Sequence, residues 1–559
     1  MKQRYIDVME KALSAYTYER IVRFFNDVKT NGLTEHGFPR LTANIGVLVS
    51  RGRRTELIPL FLEMMEFCCK TIPTVKAAND FSVREIVGCL WEVESSGIAS
   101  IETTNRWRSY LAGIERTSCY TQFAKTPVDN ARNWALFTTV SEFFRQQAGL
   151  CDCTEFIELH MLQQQQWLDE NGMYMDGWEE PFHQPIVYDL VPRGLFSLLL
   201  DRGYRGKHYQ AIDGMLKKAA LLTLDMQSPT GEIAFGGRSN QFVLNEPWMI
   251  VVYEYEAKRY AREGNMAMAT RFKAAASSAL DNINYWLSKE PIHHVKNRFP
   301  TETEYGCEGY AYFDKYMITV ASNLYPAYLI CDESIPCAAE WDDEPCATAT
   351  SKHFHKLFLK SGGYGLEFEL NADYHYDANG LGRIHRADAP PAICLSCPCP
   401  LRPTYKVDIP TPSSLSLCSA VRTEEGWLLG AEKTSTYEVL KSGKDADSAS
   451  ATLACRFENG MSTTECYTVS KNGVDIVTKG EDEIAYILPA FCFDGEVKPE
   501  ITVDGQTLSV TYDGWVCRYT TDGEIVDLDK VAANRNGHYR AFAATGKDTV
   551  SVKVEILKV

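Results

Sequence analysis

Residues 171–202 read NGMYMDGWEEPFHQPIVYDLVPRGLFSLLLDR and show the pattern that dominates the first 345 residues. A turn opens the stretch, a loop dense in ionisable side chains follows, and an amphipathic helix closes it. Ionisable groups at this density are costly to bury for structure alone, whereas loops on a rigid scaffold often carry chemistry. Interleaved aromatic residues such as Trp178 and Tyr188 distinguish the loop from an acidic, solvated surface loop, which is the alternative. We therefore predict a functional loop here.

The composition favours a large globular protein with an acidic surface. The chain has 559 residues, of which 45% are hydrophobic, so two large domains are expected. The formal net charge of −17 argues against a general nucleic-acid binder, because phosphate binding needs a basic face. A locally basic pocket for an acidic small substrate is compatible with this charge.

The 18 cysteines and the first residues indicate a reducing compartment. The opening MKQRYIDVMEKALSAY is charged and lacks the apolar core of a secretory signal, and no run reaches the roughly 18 apolar residues of a membrane span. Many cysteines stand singly in helical patterns, where free thiols behave as small core residues. We expect a cytoplasmic protein that contacts no membrane, and homo-oligomerisation is left open.

Up to about residue 345 the hydrophobic period is helical, with Gly, Pro or Asn after most segments. The predicted helices are Gln3–Asn26, Glu56–Cys69, Val83–Glu94, Ile101–Glu115, Ala131–Gln147, Cys153–Glu170, Tyr188–Asp201, His208–Asp225, Gln241–Glu263, Met266–Ser288 and Glu308–Ile330. Short links favour antiparallel pairs, and no strict repeat supports a solenoid. The pattern predicts an (α/α) toroid of helical hairpins over residues 1–345, with its catalytic loops at one end.

After about Lys352 the period changes to two. Alternating apolar and polar residues are interrupted by Asn-Gly and Asp-Gly turns, which are hairpin signals. Residues 352–559 are therefore predicted to form an antiparallel β-sandwich. The expected fold class is an α+β multidomain protein, a toroid followed by a sandwich.

Two short motifs at predicted helix starts carry groups suited to an acidic sugar. In NARNW, residues 130–134, Asn133 and Trp134 offer an amide and an indole one turn into a helix. In SPTGEIAFGGRSNQFVLNEPW, residues 228–248, Arg238 offers a planar fork that matches a carboxylate, and Asn240 follows it. Helix capping at Asn130 and a structural ion pair of Arg238 are the plainer explanations.

Two further segments extend the candidate site. PTETEYGCEGYAYFDKY, residues 300–316, places tyrosines and acids around two glycines, which resembles a sugar-binding loop, although capping and core packing explain part of it. YHYDANGLGRIHRADAPP, residues 374–391, contains His385 and Arg386 in a basic cluster. We expect this second loop to reach across to the toroid, with a plain surface loop as the alternative.

No cofactor is expected. The alternative is a structural metal site between strands, formed by His353, His355 and His375. A His-x-His pair in a strand places both rings on one face, but isolated histidines are a weak signal of a metal site.

The layout and these motifs resemble the heparinase II/III type of polysaccharide lyase. Those proteins join an N-terminal (α/α) toroid to C-terminal antiparallel β-sheets, with a cleft between them. Asn133-Trp134 resembles the family's Asn at the start of an inner helix, and residues 176–183 resemble its acidic, aromatic loop ending in His. SPTGEIAFGGRSN resembles its glycine loop, and the GRS triplet is also similar to toroid-type β-glucuronidases.

The resemblance implies cleavage of uronic-acid-containing oligosaccharides by β-elimination. Such lyases often carry Tyr just before the loop His, where this chain has Phe182, so a tyrosine base is sought at Tyr188, Tyr310 or Tyr312. Asn or Arg side chains would neutralise the uronate carboxylate, and His or Tyr would transfer the protons. The predicted catalytic residues are His183, Tyr188, Arg238, Tyr310 and His385. The predicted substrate-binding residues are Asn133, Trp134, Asp176, Trp178, Glu180, Asn240, Glu304, Glu308, Tyr312 and Arg386.

Two other functions stay open at this point. A glucuronidase-like hydrolase needs two carboxylates roughly 5–5.5 Å apart for retention, or 6.5–9.5 Å for inversion. The acids that could supply such a pair are Asp176, Glu179, Glu180, Asp189, Glu304 and Glu308. A non-catalytic glycan-binding protein would show the aromatics without an acid and base set.

Overall fold

The computed structural model describes residues 1–121, 132–176, 183–337 and 343–559. In these residues helices occupy the chain up to Ile330, and antiparallel strands follow from Cys346. The predicted fold class, a helical toroid followed by an antiparallel β-sandwich, is confirmed.

The helices of the described chain are α1 Lys2–Ala12, α2 Tyr18–Asn31, α3 Gly37–Ser50, α4 Ile58–Thr71, α5 Val83–Ser96, α6 Ile101–Ala112, α7 Arg116–Cys119, α8 Asn133–Gln147, α9 Thr154–Gln165, α10 Ile186–Asp201, α11 Tyr209–Met226, α12 Glu246–Arg262, α13 Met266–Leu287 and α14 Phe313–Ile330.

The strands are β1 Cys346–Ala349, β2 Lys356–Ser361, β3 Tyr364–Glu369, β4 Gly380–Arg386, β5 Ser419–Thr423, β6 Gly426–Leu429, β7 Thr436–Lys444, β8 Ser448–Arg456, β9 Ser462–Ser470, β10 Gly473–Phe493, β11 Glu500–Asp504, β12 Thr507–Tyr512, β13 Trp515–Thr521, β14 Glu524–Asn534 and β15 Gly537–Lys558.

Six helices of the described chain form a closed inner ring. In order around the ring, α3, α5, α8, α10, α12 and α14 each pack on the next, and α14 returns to α3. These helices are buried on nearly every face, as in α12. An outer helix such as α2 buries only a stripe, formed by Ile21, Phe25 and Val28. The apolar stripes of the outer helices therefore cover the ring.

The largest error of the helix prediction is that α3 was missed. It begins Gly37-Phe38-Pro39 and contains Gly46, residues that are typical of turns and helix ends, although it is buried on nearly every face like the other inner helices. The single helix predicted over Gln3–Asn26 is also wrong. The chain breaks after Ala12, and the Thr17 side chain accepts a hydrogen bond from the backbone N–H of Arg20 to begin α2.

Two antiparallel sheets form the sandwich. The smaller has the order β1-β2-β3-β4, and the larger runs β11-β12-β13-β15-β10-β9-β8-β7, with β14, β5 and β6 at its sides. Strand β2 packs on β8 and β9 of the larger sheet. Leu357 and Leu359 lie in the core between the sheets, while Phe358 packs in the core of the toroid. Because successive strand residues face opposite ways, β2 belongs to both cores.

The turn between β14 and β15 is a second junction with the toroid. The Asn297 side chain donates to the carbonyl of Arg535 at 2.8 Å, and the Asn536 side chain donates to the carbonyl of Lys296 at 2.9 Å. The sandwich therefore contacts the loops at one end of the helical ring. Within the described chain no helix combines the length and apolarity needed to cross a membrane.

The packing of the ring can be tested at Gly46 in α3. A Cβ there would lie 2.2 Å from Cys89 Sγ and 2.6 Å from the Phe61 ring. We expect Gly46→Ala to destabilise the fold by about 1–3 kcal/mol through overpacking. Gly214→Ala is the matched control: this glycine is in α11, exposed, and a Cβ meets nothing within 4 Å. The control should be neutral or stabilising by up to about 1 kcal/mol. Urea denaturation followed by circular dichroism measures both, and equal stabilities would contradict the described ring packing.

Candidate active site

A cavity of about 850 Å³ opens at the end of the toroid where the inner helices begin. Its wall takes a side chain from the start of each inner helix or from the residues just before it, namely His36, Phe81, Asn133, Tyr188, Trp248 and Tyr316. The partial positive charge of a helix N-terminus favours anions. Six such ends around one cavity make it suited to a negatively charged ligand.

The charged side chains of the described cavity wall strengthen this preference. The cations are Arg40, Arg132, Arg238 and Lys315, and the carboxylates are Glu35 and Asp176. The charged groups of the described wall are thus four cations against two carboxylates, with Arg40 paired to Glu85, and in a chain of net charge −17 this makes the cavity a local positive site.

The Asp176 carboxylate binds two polar side chains of the cavity wall, one with each oxygen. One carboxylate oxygen accepts a hydrogen bond from the Asn133 side chain at 2.7 Å, and the other pairs with Arg238 at 3.2 Å. Burial raises the pKa of Asp176, and Arg238 and Asn133 oppose that shift. The side chain of Arg238 stays 42% exposed while Asp176 is buried, so one face of the guanidinium is open to a ligand.

Arg238 also contacts the first of two tyrosines joined through a serine. Its guanidinium carbon lies 4.5 Å from the centre of the Tyr188 ring. The Ser239 hydroxyl lies 3.2 Å from the Tyr188 hydroxyl and 2.9 Å from the Tyr310 hydroxyl. Burial raises the pKa of both phenols, and Arg238 opposes that shift in each. The arrangement is a short chain of hydroxyl groups beside a cation.

Glycines and the sandwich fix the loop that carries Arg238. Gly237 has φ +72°, and a Cβ there would lie 2.9 Å from Pro185 Cα, so only glycine fits. Its N–H donates to Asp377 of the sandwich at 2.8 Å. Two residues further on, the N–H of Ser239 donates to Glu308 at 2.7 Å, so the loop is held at a second position.

Glu308 is held in turn by Arg535, from the turn between β14 and β15. Two guanidinium nitrogens of Arg535 donate to the carboxylate at 2.5 and 2.9 Å, and both side chains are buried. Burial raises the pKa of Glu308, but Arg535 and the backbone N–H of Ser239 outweigh it, and the pKa lies below its ordinary value. The sandwich thus positions a cavity residue through one buried carboxylate.

Part of the predicted site comes together as expected. The cavity wall contains Asn133, Trp134, Asp176, Tyr188, Arg238 and Tyr310. Glu308 lies beneath this wall and holds Ser239, and Asn240 is buried, where its side-chain oxygen accepts the N–H of Gln241 at 2.7 Å. The two predicted residues Trp178 and Glu180 lie outside the described residues.

The basic pair on β4 does not reach the cavity, which corrects the prediction for His385 and Arg386. His385 is fully buried, with its nitrogens 2.6 Å from the Ser228 hydroxyl and 2.8 Å from the Ser396 hydroxyl. Arg386 lies over the rings of Tyr364 and Trp515. Both side chains are engaged with the sandwich and its junction with the toroid.

Three other predicted residues lie away from the described cavity wall. The His183 ring is 5.7 Å from the His355 ring, at the junction with the sandwich. Glu304 forms an exposed pair with Lys406 at 3.5 Å. Tyr312 is 39% exposed and contributes no side chain to the described wall.

Several wall residues were not predicted. His36 is buried beside Phe81, and burial lowers its pKa well below the ordinary value. It directly precedes α3, the helix that the prediction missed, so no helix start was predicted at this position. Arg132 and Ser239 lie inside the quoted NARNW and GRSN motifs, where only their neighbours were singled out.

One group of possible metal ligands occurs in the described chain, and it is already engaged. Glu142, Cys151 and Cys153 place a ligand atom each within 4.8 Å of one another. Yet Glu142 accepts hydrogen bonds from the Tyr120 hydroxyl and from Arg145, at 2.7 and 2.6 Å. This cluster is best described as a hydrogen-bonded network. Among the described residues, the three histidines His353, His355 and His375 do not form such a group.

Comparison with known proteins finds similarity in fold only. No protein-family model matches the sequence, and no curated protein matches it. A mutant of heparan sulfate lyase HepC from Pedobacter heparinus is similar with 10% identity and a TM-score of 0.46, over 86% of this chain and 68% of that chain. Heparinase III is similar with 9% identity and a TM-score of 0.41, over 86% of this chain and 69% of that chain.

A xanthan lyase from Paenibacillus is similar with 9% identity and a TM-score of 0.43, over 99% of this chain and 53% of that chain. The chain spans about half the length of that lyase. The similar solved structures named here are polysaccharide lyases, the family that the sequence resembles, and each is similar to this chain only at low identity and low TM-score.

The buried pair of Glu308 and Arg535 makes a stability prediction. Glu308→Gln leaves the Arg535 guanidinium buried without its counter-charge, so the free energy of unfolding should fall by about 3–5 kcal/mol. The matched control is Glu304→Gln, because the pair of Glu304 with Lys406 is exposed and such pairs contribute about 0–1 kcal/mol. Chemical denaturation near neutral pH measures both, and equal losses would show that the buried pair does not anchor the cavity loop.

The same carboxylate predicts a pH dependence. The pKa of Glu308 is lower in the folded protein than in the unfolded chain, where a glutamate titrates at about 4.3. Its contribution is therefore complete above that pH and is lost as the pH falls through the folded value. The stability difference between the parent protein and Glu308→Gln should narrow below about pH 4. A difference that stays constant on acidification would contradict an ionised Glu308.

Proposed function

We propose that this chain cleaves uronic-acid-containing oligosaccharides by β-elimination. The observation that supports this best is the convergence of Arg238 with the hydroxyl groups of Tyr188 and Tyr310 in a cation-lined cavity. β-Elimination from a uronate needs a cation for the carboxylate and groups that move two protons. The steps proposed below use only side chains of this chain.

The first requirement is to make the C5 proton acidic. A neighbouring carboxylate opposes loss of this proton until its charge is neutralised, and a charge-assisted hydrogen bond does this in a water-poor site. Arg238 is placed for this role because its guanidinium is partly exposed to the cavity while Asp176 holds it from behind. Asn133 fixes Asp176 and so keeps the guanidinium in place.

The second requirement is a base and an acid. Burial raises the pKa of Tyr188, and the Arg238 guanidinium 4.5 Å from its ring opposes that shift; we assign Tyr188 as the base because it is the phenol that lies against this cation. Tyr310 is 39% exposed at the cavity and is assigned as the acid. Tyr188 takes the C5 proton, the C4–C5 double bond forms, and the C4–O bond breaks. The leaving oxygen receives the proton of Tyr310, and no water is consumed.

The carboxylates of the described cavity wall favour elimination over hydrolysis. A hydrolase would need two of them to flank the scissile bond. Asp176 is engaged by Asn133 and Arg238, and Glu35 is paired with Lys315 at 3.4 Å. Both are therefore occupied by partners in the described residues, whereas the phenols face one another across Ser239.

Replacement of the proposed base and cation tests this function. Tyr188→Phe and Arg238→Ala should each lower kcat/KM by about 10²-fold or more, the scale of acid–base and charge-stabilising groups. The assay follows ultraviolet absorbance of the unsaturated uronate that elimination produces from a panel of uronic-acid oligosaccharides.

Matched surface variants serve as controls. Tyr18 is 50% exposed on α2, and Arg456 forms an exposed pair with Glu438, so Tyr18→Phe and Arg456→Ala should retain parent activity. Near-normal turnover in both Tyr188→Phe and Arg238→Ala would remove the proposed site. Sugar release without the unsaturated product would assign the chain to the hydrolases instead.

A further inference from the structure

We propose that Ser239 is a proton relay that returns the proton from Tyr188 to Tyr310 after each turnover. This inference rests on the proposed elimination at the same cavity. It gives a role to a residue whose hydroxyl contacts both phenols, 3.2 Å from the Tyr188 hydroxyl and 2.9 Å from the Tyr310 hydroxyl. A side chain placed in this way acts through the tyrosines and not on the sugar.

The backbone of Ser239 is fixed on both sides, so its hydroxyl has a defined position. Its N–H donates to Glu308 at 2.7 Å, and its carbonyl accepts a hydrogen bond from the Asn245 side chain at 2.9 Å. Asn245 directly precedes α12, and Glu308 is bound by Arg535 from the sandwich. Both domains therefore hold the serine between the phenols.

The conformation of Ser239 is unfavourable for any residue except glycine. Its φ is +59°, in the left-handed region, where the Cβ of an L-residue comes too close to the following carbonyl oxygen. In the same loop φ is also positive at Gly236, Gly237 and Gln241, and two of these three positions have glycine. Glycine would relieve the strain at position 239 as well, yet the chain has serine there. Strain kept at such a position points to a use for the side chain, here the hydroxyl group.

The relay completes the proton balance of the reaction. In the reactive state Tyr188 is ionised and Tyr310 is protonated, and the single negative charge lies beside Arg238. Elimination moves the C5 proton to Tyr188 and the proton of Tyr310 to the leaving oxygen, so the two phenols exchange states. Ser239 then donates its hydroxyl proton to Tyr310 and accepts the proton of Tyr188. The starting state returns with no gain or loss of protons.

Two variants separate the hydroxyl group from the backbone. Ser239→Ala keeps the side-chain carbon and the strain, and Ser239→Gly removes both. Ser239→Gly should fold at least as stably as the parent, because strain at this position is released. Without the relay the phenols must exchange protons through water after the chemical step, so in both variants kcat should fall by about 10²-fold, KM should fall with it, and kcat/KM should stay within about twofold.

A solvent isotope measurement distinguishes a relay from a purely structural serine. Proton return through water should become rate-limiting in the variants, so kcat of Ser239→Ala and Ser239→Gly should be slower in D₂O by a larger factor than that of the parent. A loss confined to Ser239→Gly would assign the effect to loop order and overturn the relay. Parent-like kcat in both variants would overturn it too. Both of these results require an active parent, so they overturn the relay and leave the proposed function standing. A parent that forms no unsaturated product would overturn the proposed function and the relay together.

Discussion

The ion pair between Glu308 and Arg535 is the contact on which the cavity depends. Moving two charges out of water is costly, and the cost is recovered only when geometry and additional hydrogen bonds satisfy both groups. Here the carboxylate also accepts the N–H of Ser239, so its stabilisation and the position of the cavity loop are one interaction. Because the arginine comes from the sandwich and the glutamate from the toroid, the site belongs to neither domain alone.

The helical ring supplies the electrostatic setting for that site. Its inner helices all begin at the cavity, so their partial positive charges add where an acidic substrate would bind. At the opposite end Arg51 and Arg202 directly follow α3 and α10, where a cation complements the negative end of a helix. The fold thus separates a ligand-facing end from an end whose charges are balanced by its own side chains.

Physical features of the sequence explain why the fold class and part of the cavity wall could be predicted. Hydrophobic period distinguished the helical region from the strands, and glycine beside charged and aromatic residues marked the loop before the helix of Tyr188 and the loop that carries Arg238. It missed α3, where Gly37, Pro39 and Gly46 indicate turns more than a helix, and with α3 it missed His36. The sequence alone could not show that His36 lines the cavity, because its burial depends on neighbours that lie far along the chain.

The misplacement of His385 has a different cause. A strand pattern shows that alternate residues share a face, but not what that face meets. Strand β4 lies at the edge of the smaller sheet, and its basic residues contact the sandwich and buried hydroxyls of the toroid. The outcome for His385 follows from how the two domains dock.

The most direct test of the account is to digest a uronic-acid oligosaccharide in water labelled with the heavy isotope of oxygen and to weigh the products by mass spectrometry. Elimination through Tyr188 and Tyr310 consumes no water, so the account predicts fragments without the label, one of them unsaturated. Incorporation of a labelled oxygen into the newly formed reducing end, beyond the slow exchange that the same fragments show in labelled water without the protein, would contradict it, because hydrolysis places a solvent oxygen there.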